Sequence, residues 1–189
     1  MARMNKRIRQ ELLTEKISTH PFLRDEELAV EFGVSVQTIR LDRMELGIPE
    51  LRERTKLMAQ RAQNKLRAIA EDDVVGELVD LEVGRTAISV LAVTEDMVLA
   101  KTKIARGHYI FSQANSLALA VMDAPAAVTG VANIKYKVPV RAGEKLVAKA
   151  EVIRIRGNKV FIWVKTRNEQ EEVFRAKFIM VAVNSEGEN

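Results

Sequence analysis

Hydrophobic and polar positions change their period along this chain of 189 residues. Over residues 6–46 they follow a helical period in three short pieces. Ile8, Leu12, Leu13 and Ile17 mark the first, with Asn5 as its N-cap and Pro21 closing the segment. A second helix, over 25–32, opens on Asp25, Glu26 and Glu27, which suit the positive end of a helix dipole. Gly33 and Val34 make a turn, and Ser35 caps a third helix that runs to about Leu46. Gly47 and Pro49 then punctuate the chain. Beyond them Leu51, Met58, Ala62, Leu66 and Ile69 predict a basic amphipathic helix over 49–71. It reads as a connecting helix docked on its own protein. A membrane-surface helix is the alternative, but its apolar face has no Trp or Phe.

From Val74 onward the pattern is that of strands. Runs over 77–83, 87–93, 97–104, 126–140, 145–156, 159–166 and 173–183 predict six or seven antiparallel strands. Residues 108–122, apolar and rich in Ala and Leu, predict one buried helix among them. The expected fold class is α+β, with a helical head over 1–48, a linker helix over 49–72, a sheet domain over 73–189 and a frayed tail over 184–189.

Composition narrows the function classes. With 47% hydrophobic and 30% charged residues the chain is globular. Its longest apolar runs, 117–122 and 178–183, are far too short for a membrane span. The basic start lacks an apolar stretch behind it, so no secretory signal is expected and the cytoplasm is the expected address. Zero cysteines exclude disulfides, thiolate nucleophiles and Cys-based metal sites. His20 and His108 alone make a His-rich metal site unexpected, and no cofactor is expected. The net charge of +4 and the pI near 9.4 suggest a nucleic-acid partner, but their distribution qualifies this. Residues 1–50 hold eight basic and nine acidic side chains, and residues 51–72 hold six and three. Affinity for DNA must therefore come from local placement.

Residues 28–40, LAVEFGVSVQTIR, carry the stereochemistry of a helix-turn-helix. Ala29 is small enough for a close helix crossing, Gly33 tolerates a left-handed turn, and Ile39 wedges between the helices with Leu28, Phe32 and Val36. Ser35, Gln37, Thr38, Arg40 and Arg43 then form an outward face, where such motifs read base edges. Gln37 suits adenine and Arg40 suits guanine or phosphate. Arg3, Lys6, Arg7 and Arg9, with the basic linker, are the phosphate neutralisers. A generic helical hairpin with a solvated polar face is the alternative. The segment resembles the DeoR-type winged-helix motif, whose second helix commonly reads TIRRDL. Here it is TIRLDR, so Leu41 and Arg43 should face differently, and no wing is evident.

In the second domain, PVRAGEKLVAKAEV over 139–152 resembles the turn-and-strand signature of hot-dog domains. RGHYIFSQAN over 106–115 resembles the start of the central helix in phenylacetate-type thioesterases. On that pattern Gly107 matches a motif glycine, while Asn115 stands where the family has its catalytic acid. An amide can neither activate water nor attack a carbonyl. Arg106, in place of the motif His, brings a permanent fork of donors that suits a carboxylate ligand. A structural salt bridge to Asp123 or Glu144 is the alternative for Arg106.

Taken together, DEELA, FGVS, QTIRLDR, IPELRER, IARGH and QANSLA resemble the FapR family, repressors of fatty acid and phospholipid biosynthesis genes. The resemblance implies a homodimer that binds operator DNA and is released by malonyl-CoA or malonyl-acyl carrier protein, with Arg106 gripping the malonyl carboxylate. It implies a pocket wall at Leu99, where relatives can carry an aromatic. Lys135, Lys137 and Arg141 are candidates for the CoA phosphates. Two rivals stay open: an active acyl-CoA thioesterase with an appended DNA-binding head, and a regulator answering another anionic acyl thioester such as succinyl or methylmalonyl.

Overall fold

The computed structural model describes residues 5–183. Arg3 and the tail over 184–189 lie outside the described residues. The chain forms two compact units that divide between Met58 and Ala59.

The first unit contains α1 (Lys6–Thr19), α2 (Asp25–Phe32), α3 (Val36–Glu45) and the start of α4 (Leu51–Gln63). The local signals act as their chemistry demands. Asn5 accepts from the Arg7 amide at 2.9 Å, and Gly33 ends α2 at φ 63°. That left-handed turn lets the Val34 amide close on the Ala29 carbonyl at 3.0 Å. Leu13, Ile17, Leu28, Ala29 and Ile39 form a small apolar core. Around it sit buried charges. Arg9 Nε meets Asp42 at 2.6 Å between α1 and α3, and Arg43 grips both oxygens of Asp25 at 2.8 Å between α3 and α2. Arg54 donates to the carbonyls of Pro21, Leu23 and Pro49, and so ties the first turn of α4 to this unit. Burial lowers the Arg54 pKa.

The helix expected over 49–71 stops at Gln63. Its last turn tightens into bonds from Lys65 to the Ala62 carbonyl and from Leu66 to the Gln63 carbonyl around Asn64. Leu66 and Ala68 reach the core of the second unit from the loop that follows.

That unit is a single antiparallel sheet folded over one helix. Its strands are β1 (Glu77–Glu82), β2 (Thr86–Ala92), β3 (Ala126–Tyr136), β4 (Lys145–Arg156), β5 (Lys159–Arg167) and β6 (Glu172–Val183). They lie in the order β1-β2-β4-β5-β6-β3. Helix α5 (Gly107–Ala120) packs on one face, burying Ile110, Ala114, Leu117, Ala118 and Ala120. This is the hot-dog architecture anticipated above. The strand expected over 97–104 is instead a tight reversal. The Leu99 amide bonds the Ile104 carbonyl at 2.9 Å, and Lys103 takes φ 57° to turn the chain back. The isolated bridges Val98–Ala105 and Ile104–Arg141 take the place of a continuous ladder, with the Ala105 amide bonding the Val140 carbonyl at 2.8 Å.

The opposite face of the sheet carries an unusual charge pattern. Lys135 pairs across to Arg175, Arg175 to Lys165, and Lys165 to Lys149, so four cations on four adjacent strands stand in one row. All four are exposed. Glu172 accepts from Arg175 at 2.8 Å and from Lys137 at 3.1 Å, and these bonds hold its carboxyl below the usual carboxylate range.

The buried pairs of the first unit should be costly to break, because removing one partner strands a charge. Asp42→Ala is expected to destabilise that unit by about 3 kcal/mol. Thermal and urea unfolding should show its transition move while that of the second unit stays put.

Candidate functional site

In the first unit, α3 presents its exposed face opposite the core. Gln37, Arg40, Leu41 and Met44 are exposed, whereas Ile39, Asp42 and Arg43 are buried. Ser35 Oγ accepts from the Thr38 amide at 3.2 Å and pairs with the Thr38 hydroxyl at 2.9 Å. The cap thus holds the start of α3 beside Gln37. Arg40 stays half exposed, 3.7 Å from Asp25 and 4.0 Å from Glu26. Lys6 and Arg7 lie in exposed pairs with Glu45 and Glu11.

Two expectations fail here. Arg43 is not on the outward face: its guanidinium is spent on Asp25 and on the Ile48 carbonyl at 3.0 Å. Arg43 lies about 60° round the helix from Arg40, enough to turn it over α2. Arg9 is likewise buried against Asp42 rather than free for phosphate. A charged residue is rarely buried without a partner, and the sequence contained both partners without showing that they meet.

In the second unit, Arg106 is the N-cap of α5 but makes no side-chain cap bond. Among the described residues it has no ion pair. Asp123 is engaged by Arg67, while Glu144 accepts from the Arg141 amide at 2.7 Å and from Asn168 at 2.8 Å. The Asp96 carboxyl feels Arg106 only weakly: it is lowered first by the Thr94 hydroxyl, then by its own backbone amide, with a smaller contribution from Arg106. The guanidinium is half-buried and uncommitted.

Its chain neighbours Ala105 and Gly107, but not Arg106 itself, line a cavity of about 400 Å³ together with Ile104, Ile110, Tyr136, Lys137 and Pro139. Tyr136, which the sequence reading passed over, forms one wall. Its hydroxyl donates to the Gly107 carbonyl at 2.7 Å, and its ring packs at a tilt against Phe174, with centroids 5.0 Å apart. Gly107 is required by that approach, since a Cβ there would fall 2.8 Å from the tyrosine ring. Leu99 stands outside this lining, 46% exposed on the reversal before α5. Lys137 does line it, and Lys135 lies on the outer row.

Asn115 sits about 12 Å further along α5. It borders a second cavity of about 450 Å³ with Ser112, Ser116, Phe111 and the loop residues Ile69 and Val75. Its Oδ1 accepts from the Thr129 hydroxyl at 2.6 Å, which fixes the amide against β3. One chain therefore does not converge Arg106 and Asn115 on a common point. Gln113, also passed over, is wholly buried and donates to the Ser89 and Leu146 carbonyls at 3.3 and 3.2 Å, which sets the rotation of α5 on the sheet. Its spacing, three residues after Ile110 and four before Leu117 on the apolar face of the helix, was the available signal.

Gly107→Ala should force the Tyr136 ring aside and cost about 1–2 kcal/mol through overpacking. The loss should shrink when Tyr136→Ala is added, as a double-mutant thermal-stability cycle would show.

Comparison with known proteins bears on both units. Residues 103–174 match the model of the thioesterase superfamily. The chain is 29% identical to an uncharacterized protein of Pyrococcus horikoshii of known structure, with a TM-score of 0.56 over 59% of this chain and 85% of that one. It is 62% identical over 184 residues to the protein named transcription factor FapR in Thermoanaerobacter sp. (strain X514), covering 97% of this chain and 92% of that one. With transcription factor FapR of Bacillus subtilis (strain 168) the identity is 47%, over 94% and 96% of the two chains. Two units, one helical and one hot-dog, aligned from end to end with these relatives, place the chain in the FapR family of transcription factors.

Proposed function

We propose that this protein represses fatty acid and phospholipid biosynthesis genes, and that malonyl-CoA or malonyl-acyl carrier protein releases it from operator DNA. The observation that carries this reading is Arg106, a half-buried cation without an ion-pair partner among the described residues. A ligand carboxylate is its natural bidentate partner. The α5 N-terminus beside it adds the positive end of a helix dipole. Gly107, Tyr136 and Lys137 would wall the acyl and pantetheine portions, while Lys135 and Lys137 are the cations offered to the CoA phosphates. Lys137 must first leave Glu172.

The domain serves as a receptor, not a catalyst. Asn115 has no proton to exchange near neutral pH, and Thr129 already occupies its carbonyl oxygen. Helices α2 and α3 act as a helix-turn-helix, with Ser35, Gln37, Thr38 and Arg40 at the DNA and Arg7 near phosphate. The segments 1–48, 49–72 and 73–189 serve as head, linker and effector domain.

A homodimer fits the sheet. Strand β3 is an edge of 11 residues that, among the described residues, pairs with β6 alone, and Val128, Val131, Ile134 and Tyr136 are exposed along it. A long apolar edge is a template for another strand. A second copy pairing there would complete a ligand site at the subunit interface, and would set two heads on an inverted-repeat operator. Ligand and operator oppose each other by linkage: a hundredfold release requires about 2.8 kcal/mol of coupling.

The rival reading, an active thioesterase with a DNA-binding head, draws on the superfamily match over 103–174. Release of free CoA from an acyl-CoA panel at high protein concentration would establish it. On the present reading no release beyond the uncatalysed rate is expected.

Arg106→Ala should bind operator normally and ignore malonyl-CoA, as gel shift and calorimetric titration against malonyl-, acetyl-, succinyl- and free CoA would show. Normal release by malonyl-CoA would refute the Arg106 role. Val131→Lys should weaken dimerisation by an order of magnitude or more in sedimentation equilibrium, through a charge placed on the pairing edge.

A further inference from the structure

The exposed face of α3 is not uniformly polar. Gln37, Arg40, Leu41 and Met44 follow the i, i+3, i+4, i+7 spacing of a single helix face. Leu41 is 51% exposed and Met44 is 74% exposed. The apolar core of this unit is complete without them: Ile39 fills it from α3, with Leu13, Ile17, Leu28 and Ala29. The neighbouring cations have been withdrawn from the surface, since Arg43 is committed to Asp25 and Ile48. Beyond the Ser35 and Thr38 hydroxyls at its start, the α3 face that remains to meet DNA has one amide, one guanidinium and two bare apolar side chains.

Each of these groups has its own complement in the major groove. Glutamine suits adenine N6 and N7, arginine suits guanine or phosphate, and an apolar side chain suits the thymine C5-methyl, the one apolar group on a base-pair edge there. Leu41 lies one turn from Gln37 on the same face. The Ser35 cap fixes the backbone from which both project.

We infer that Leu41 is a specificity-determining residue that packs on a thymine methyl in the major groove, next to the base read by Gln37. This rests on the operator-binding reading. Position 41 would then select thymine over cytosine by apolar contact, without any hydrogen bond. Substitution there should relax sequence preference while leaving phosphate contacts intact.

The test uses duplexes recovered by the full-length wild-type protein from a random-sequence pool. In each, single thymines are replaced by deoxyuridine, which removes the methyl alone. Wild-type affinity should fall about threefold to fivefold at one thymine per half-site, the worth of one buried methyl. Leu41→Ala should bind the thymine duplex more weakly by a similar or larger factor and show no further loss on deoxyuridine. Leu41→Met should keep part of the methyl sensitivity. The slope of affinity against salt should be the same for all three proteins. Thermal melts confirm that a substitution at this exposed position leaves the unit folded. Wild-type indifference to every deoxyuridine replacement would overturn the inference, and so would full sensitivity in Leu41→Ala. Failure of the wild-type protein to enrich any sequence would instead overturn the operator-binding reading on which it depends.

Discussion

Burial of α5 against one face of the sheet is the constraint from which the second unit follows. Ala114, Ala118 and Ala120 bring the helix close, Leu117 and Ile110 fill the layer, and Gln113 ties it to β2 and β4. A helix held this way has no freedom to rotate. Arg106 must then emerge at its start beside the cavity, and Asn115 must face Thr129 on the other side. The side chains that define chemistry are few, and each is positioned by residues that have none.

The first unit reaches a similar result with charge instead of apolar bulk. Its core has only five buried apolar residues, and three arginines complete it. Arg9 and Arg43 each bridge two helices through a carboxylate, and Arg54 closes on three backbone carbonyls. These bonds take positive charge out of contact with DNA. What stays outside is the sparse exposed face of α3, with Gln37, Arg40, Leu41 and Met44, and the exposed Lys6 and Arg7. The modest net charge of the chain is therefore a poor guide to where it can touch a polyanion.

Much of this was legible in the sequence because it depends on local rules. Asn5, Gly33 and Ser35 fixed helix ends within a residue, and the alternation of strands β1, β2, β4, β5 and β6 marked their extents closely. The reversal at 99–104 was misread as a strand because the apolar run Met97, Val98, Leu99 and Ala100 opens it and Ile104 closes it, while its geometry comes from a left-handed Lys103 that no composition rule announces. The linker helix was drawn too long because Leu66 and Ile69 continue its period; they are apolar for reasons of the second unit's packing. Arg43 and Arg9 were placed outside because a single helix wheel does not contain the neighbouring helix that pairs with them. Tyr136 was missed for the same reason: its partner, the Gly107 carbonyl, lies 29 residues away.

The row formed by Lys135, Arg175, Lys165 and Lys149 gives the molecule a divided response to its ionic surroundings. Like charges directly opposite on neighbouring strands repel, and among the described residues Glu172 is the carboxylate seen paired with a member of the row, Arg175. Counter-ions screen that repulsion, so added salt tightens the sheet. The same counter-ions compete with any phosphate the helical unit holds. Added salt thus acts on the two units with opposite sign, steadying the sheet of the second while weakening any hold of the first on a polyanion.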